Sequence, residues 1–276
     1  MMYPSNLSPR GWLSWLVISL IALGTLAGLA GCAGGAPSGA MRNDIVTDSD
    51  EPEARRRARI RLELAVGYFE QGQTTVALDE LKQALVTDPS YADAYNMRGL
   101  IYMRLNDMVL AEESFRRALS LKPGDPDTQH NLGWLQCQRG RYTEAVQQFS
   151  QALANPTYGG RAKTWMAQGL CQLRDAKRAA AEQSLLRSYE LDAGNPITGY
   201  NLAQLLMERG ELVRAQFYVR RINNSELANA ESLWLGMKIE RRMQNADAVA
   251  QLGSQLKKRF ASSKEYSAYE RGAFDE

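Results

Sequence analysis

The feature that most limits what this chain can become is a period of 34 residues. Small residues stand at Ala77, Ala111, Ala145, Ala181, Ala215 and Ala248, in steps of 34, 34, 36, 34 and 33. Turn signals precede the first five of them: Gly72, Asn106-Asp107, Gly140, Asp175 and Gly210. The unit is clearest over 92–125, where Tyr95, Gly99, Tyr102, Ala111, Phe115, Ala118 and Pro123 are spaced for two amphipathic helices and a tight turn. A unit of that size cannot bury both of its faces alone, so it is stable only when stacked on its neighbours. Bulk at Gly99 or Ala111 would overpack the helix crossing, at a cost of about 1–3 kcal/mol.

The pattern resembles that of the tetratricopeptide family. The resemblance implies an all-α, right-handed superhelical solenoid of about six helix-turn-helix repeats with a concave surface for a partner. The register places the repeats at about 58–91, 92–125, 126–159, 162–195, 196–228 and 229–262. Repeat 1 carries Leu64, Ala65, Tyr68, Gly72, Ala77, Leu81, Ala84 and Pro89 in the family positions. Repeat 3 carries Leu132, Gly133, Gly140, Ala145, Phe149 and Ala152. Repeat 4 keeps Trp165, Gly169, Ala181 and Leu185, and repeats 5 and 6 keep fewer matches. Asp125-Pro126 and Asn195-Pro196 each set a capping side chain before a first-turn proline. Asp50 is expected to cap the first helix, with Pro52 in its first turn. The insertion around Asn155-Pro156-Thr157-Tyr158-Gly159-Gly160 reads either as a bend between repeats 1–3 and 4–6 or as an ordinary longer loop. Ser262 to Glu265 matches a capping box. A short helix should follow, over 263–276 with its tail, and Tyr266, Tyr269 and Phe274 should close the end of the stack.

Composition excludes little but points the same way. The apolar share is 45% and the charged share 23%, enough for a packed core with a solvated surface. A net charge of +2 gives no argument for nucleic acid. The Arg55-Arg56-Arg57 run reads as a solvated helix face or a contact for anionic lipid. Cys137 and Cys171 lie 34 residues apart, in matching places of consecutive repeats. They read either as two small core residues or as one disulfide in an oxidising compartment.

Ahead of the repeats, Arg10 precedes an uncharged stretch over 11–31 that ends Leu29-Ala30-Gly31-Cys32. This resembles a bacterial lipobox, which implies a signal peptide over 1–31 and lipidation at Cys32. Ala33 follows in place of an aspartate, and the resemblance then implies the outer membrane. Residues 32–52 are rich in Gly, Ser and Asp and are expected to be a flexible linker to a repeat domain over 53–262.

No constellation for chemistry is visible. His130 is the only histidine, no nucleophile motif supports it, and neither a metal-ligand set nor a phosphate loop appears. No enzyme, cofactor, nucleic acid or small-molecule substrate is expected; the one added group is the covalent lipid on Cys32. The informative positions are those the repeat register turns toward the groove. They are Leu62, Val66, Phe69, Asn96, Leu100, Met103, His130, Trp134, Met166 and Leu170, an apolar strip with few polar groups. Such a strip suits the apolar face of a partner helix or a hydrophobic peptide.

Several blocks outside the repeat consensus narrow the resemblance. They are Tyr68-Phe69-Glu70-Gln71-Gly72, Ala92 to Asn96, Asn131 to Gln138, Ala154 to Tyr158, Glu231 to Gly236 and the tail from Arg259-Phe260 to Glu276. Together they are similar to the type IV pilus biogenesis/stability lipoproteins of the PilF/PilW type. Leu132 stands where that family would have an aromatic, and Ala261 where it would have proline. The resemblance implies a pilotin, an outer-membrane lipoprotein facing the periplasm that binds the pilus secretin subunit and promotes its localisation and multimerisation. A scaffold of another envelope assembly, such as a tight-adherence pilus or outer-membrane protein insertion, or a cell-wall synthesis regulator are the alternatives.

Overall fold

The structure is a computed structural model that describes residues 50–274. Cys32, the signal segment, most of the expected linker and the last two residues lie outside the described residues. Among the described residues there are thirteen α-helices and no strand. They are α1 (Glu53–Glu70), α2 (Thr74–Thr87), α3 (Ala92–Arg104), α4 (Met108–Leu121), α5 (Pro126–Gln138), α6 (Tyr142–Leu153) and α7 (Arg161–Arg174). The series continues with α8 (Arg178–Leu191), α9 (Pro196–Glu208), α10 (Leu212–Asn223), α11 (Ala230–Arg242), α12 (Ala246–Phe260) and α13 (Lys264–Glu270). Each odd helix up to α11 pairs with the even helix after it, and each even helix packs on the next odd one. This is the sequential packing of a tetratricopeptide solenoid, with first helices (A) and second helices (B) alternating.

The turn inside each repeat is made the same way six times. One residue takes a left-handed conformation: Gly72, Asn106, Gly140, Ala176, Gly210 and Gln244. The amide after it donates to the carbonyl five residues back, as from Gln73 to Tyr68, Asp107 to Tyr102 and Arg141 to Gln136. That bond closes a Schellman cap and satisfies a carbonyl the helix end would otherwise leave open. Glycine fills the position in repeats 1, 3 and 5. In repeat 4 the left-handed residue is Ala176 and not the Asp175 the sequence suggests.

Side chains cap six of the thirteen helix starts. Asp125 accepts from the Thr128 amide, and Asn195 from the amides of Ile197 and Thr198. Two expectations need correction. Asp50 does not cap α1, because Pro52 occupies the cap position and no side chain bonds there. At α13 the cap is Ser263, accepting from the Tyr266 amide, so the helix starts one residue later than a box from Ser262 to Glu265 requires.

Small residues set the crossings within repeats. A Cβ added to Gly99 would lie 2.5 Å from the Phe115 ring, and one on Gly169 would lie 2.7 Å from Leu185. The core is a chain of local clusters. One joins repeats 1 and 2 through Ala65, Leu81 and Ile101. Phe115 with Leu132 and Leu135 joins repeats 2 and 3, and Phe149 with Ala167 and Cys171 joins repeats 3 and 4. Ala203, Val219 and Leu235 join repeats 5 and 6. Leu233, Met237, Leu256 and Tyr266 seat α13 on the last repeat, with Tyr269 and Phe274 packed against them. Leu132 shows why repeat 1 differs from the rest. Its ring of neighbours comes from the preceding repeat, and the matching Leu64 has no such neighbour among the described residues and is exposed.

Candidate partner-binding groove

The A helices stand side by side, and α1 to α3, α3 to α5, α5 to α7 and α9 to α11 touch directly. Their shared face is where the register places the apolar strip. Leu62, Phe69 and Leu100 are half-buried against the repeat 1–2 cluster, and Val66 is exposed on the same helix. Leu100 and Met103 also lean on the repeat 2–3 cluster, and Trp134 leans on the repeat 3–4 cluster. Asn96 accepts from the Asn131 amide at 3.0 Å, which ties α3 to α5. Met166 and Leu170 are half-buried on α7. Nine of the ten expected residues therefore keep part of their surface open along α1, α3, α5 and α7.

His130 is the exception. It is 5% exposed and sits between α5 and α7 instead of facing the groove. The Thr164 hydroxyl gives its proton to the Gly160 carbonyl at 3.0 Å, so its oxygen accepts from His130 Nδ1–H at 2.9 Å. The ring also lies 5.8 Å from the Phe149 ring. Burial pushes the His130 pKa down to about 4, and the charge of Lys163 acts in the same direction. The imidazole is a neutral packing element, and its distance from solvent removes it from the strip.

The same junction carries the cysteine pair. Cys137 and Cys171 form a disulfide with a Cα–Cα distance of 5.7 Å, joining α5 to α7 across 34 residues. The inserted loop is filled and anchored there as well. Tyr158 is buried and donates its hydroxyl to Asp127 at 3.0 Å, and burial followed by the Asp127 charge pushes its pKa up to about 12. Its ring folds over Gly160, where a Cβ would meet the Tyr158 oxygen at 2.3 Å. The loop is thus clasped onto the start of α5.

Two groove residues escape an inspection for apolar side chains. Arg104 closes α3 and lies over the Phe69 ring at 5.2 Å; Arg174 closes α7 and lies over the Trp134 ring at 5.1 Å. Their sequence signal is the last A-helix position, which reads Glu70, Arg104, Gln138, Arg174, Glu208 and Arg242. Among the described residues no group of three or more His, Cys, Asp or Glu side chains is placed to hold a metal ion. No helix of the described residues is long and apolar enough to cross a membrane.

Comparison with known proteins agrees with this architecture. The tetratricopeptide repeat signature matches residues 62–126 and again 114–147. The chain is 30% identical over 236 residues to the Pseudomonas aeruginosa type IV pilus assembly protein PilF, covering 86% of this chain and 92% of that one. The solved structure of P. aeruginosa PilF superposes with a TM-score of 0.73 at 28% identity, over 80% of this chain and all of that one. The crystal structure of PilW, a widely conserved type IV pilus biogenesis factor, gives a TM-score of 0.69 at 32% identity, over 77% and 97% of the two chains. The peptide-binding repeat protein YrrB, at 14% identity and a TM-score of 0.55, shares the fold alone. With its six helix pairs and its likeness to PilF along nearly the whole of that protein, the chain belongs to the PilF/PilW-type family of tetratricopeptide type IV pilus assembly proteins.

Proposed function

We propose that this assembly protein is a pilotin: it binds the type IV pilus secretin subunit, accompanies it to the outer membrane and promotes its multimerisation. The observation that carries the reading is the likeness to PilF, which covers 86% of this chain and 92% of that protein. Cys32 supplies the lipid anchor, residues 33–52 supply reach into the periplasm, and the groove supplies recognition. The protein is a binding scaffold and not an enzyme. Leu62, Val66, Phe69, Asn96, Leu100, Met103 and Trp134 form the recognition surface, with Met166 and Leu170 extending it. An amphipathic helix of the partner would lay its apolar face across them, removing the half-buried side chains from water at about 25 cal/mol per Å².

The test is made in cells. Deleting the gene is expected to abolish secretin multimers, and the wild-type chain to restore them. Leu100→Asp with Trp134→Asp should fold, as judged by far-UV circular dichroism and melting, and fail to restore. Full multimer assembly with the folded double variant would remove the groove from the mechanism; multimers that persist on deletion would remove the pilotin reading.

A further inference from the structure

We propose that Arg104 and Arg174 select the partner of the groove by its acidic side chains, and that the segment bound is an amphipathic helix carrying two acids about 11 residues apart. The inference rests on the groove reading above and adds a charge requirement to it.

Three observations converge on these two residues. Both guanidinium groups are exposed, and neither has a carboxylate partner among the described residues, in a molecule where most arginines near the repeat turns are paired. Arg139 and Arg141 meet Glu112, and Arg209 and Arg214 meet Glu182. Each of the two unpaired groups is held in place by the face of a groove aromatic, Phe69 or Trp134. Stacking leaves the edge of a guanidinium and its N–H fork free to take a carboxylate in bidentate geometry. The two sit at the same register position two repeats apart, each reaching back from its own A helix to the A helix of the preceding repeat.

Spacing then fixes the ligand. Adjacent helix axes lie roughly 8–10 Å apart, so two steps from α3 to α7 are roughly 16–20 Å. A helix rises about 1.5 Å per residue, which makes that distance roughly 11–13 residues, and a spacing of about 11, three turns, returns both acids to nearly the same stripe. The apolar residues between them face Leu100, Met103 and Trp134.

The experiment uses the full-length chain and a tagged secretin subunit co-expressed and captured from detergent extracts. R104E with R174E is expected to lower capture about tenfold. R104K with R174K keeps the charge and should retain most of it. Raising salt should weaken capture by the wild type and leave the residual capture by R104E/R174E unchanged. A packing role alone would not move the salt dependence. Reversing the two acids of the bound segment to lysine should restore capture by R104E/R174E. Wild-type capture by a folded R104E/R174E, with capture lost in Leu100→Asp, overturns the charge proposal and leaves the groove standing. Wild-type capture by both overturns the groove as well. Should R104E/R174E melt early, R104Q with R174Q replaces it under the same criteria.

Discussion

The junction between repeats 3 and 4 and the junction between repeats 4 and 5 are made of the same helix pair types and are held in opposite ways. At the first, α5 touches α7, a disulfide crosses between them, His130 bonds Thr164, and an apolar cluster runs through. At the second, the direct A-to-A contact is smaller than at the other junctions, and none of the five apolar clusters of the described residues spans the boundary. A cavity of about 200 Å³ opens there, lined by Leu173, Asn201, Gln204 and Leu205, and another of about 270 Å³ lies against Tyr189, Gly199 and Tyr218. The Tyr189 hydroxyl is buried with no hydrogen-bond partner. What crosses this boundary is a Tyr189–Tyr218 edge-to-face pair at 4.9 Å and a set of polar contacts: Ser188 with Thr198 at 3.0 Å, Arg178 with Glu208, and Arg209 and Arg214 on Glu182. In a stacked array, stability is a sum of unit and interface terms, so the weaker interface decides where the array opens first.

The largest expected effect comes from the disulfide. Closing a loop of this length is worth about 3–4 kcal/mol in the chain-entropy account. In the oxidised protein, hydrogen exchange should show α9 to α13 opening before α1 to α8. Reducing the bond, or replacing Cys137 and Cys171 by serine, should bring repeats 3 and 4 to open at free energies near those of repeats 5 and 6. An exchange pattern unchanged by reduction would mean that the covalent link is not what separates the two junctions.

A smaller effect is expected from His130. Its folded pKa, about 4, lies below the ordinary value of 6.5, so the unfolded chain binds the proton first. The contribution is complete above the unfolded pKa and is lost as pH falls toward the folded one. Between pH 7 and pH 5 this amounts to about 2 kcal/mol. Denaturant melts at those two pH values measure it. His130→Gln should flatten the dependence, whereas an equally steep loss in that variant would assign the acid sensitivity to another group.

The smallest effect belongs to the polar junction. Glu182 accepts two hydrogen bonds from Arg209, at 2.7 and 3.0 Å, and one from Arg214. Because both arginines are well exposed, Glu182→Gln should cost about 1 kcal/mol or less. The loss should appear as easier exchange in α9 and α10, with repeats 1–3 unmoved. A global loss would make this junction as cooperative as its neighbour and erase the contrast.

How much was legible in the sequence follows the range of each interaction. The period, the small residues at crossings and the proline-linked caps at Asp125 and Asn195 depend on residues within a few positions, and all are readable there. The turn in repeat 4 was misread by one residue because alanine gives no signal for a left-handed conformation, which here is imposed by the Schellman bonds on either side. The loop 155–160 offered a choice between a bend and a plain connection. The clasp it forms depends on Asp127, about 30 residues away, and on a ring lying over Gly160. His130 was assigned to the groove because the register rotates it there, but neighbouring A helices pack closely enough to cover that position.

The sequence by itself determined the repeat, its helix pairs, its membership of a recognisable assembly family and the approximate strip of groove residues, because periodic burial and capping are local and repeat with the chain. Only the tertiary structure decided that Cys137 and Cys171 pair, that His130 is sealed between α5 and α7, that Arg104 and Arg174 lie over aromatic rings, and that polar pairs from Ser188 and Glu182 bridge repeats 4 and 5. Each of these joins side chains about one repeat apart or more. Such contacts are set by how the helices stack, and a 34-residue period leaves that stacking free to vary from one junction to the next.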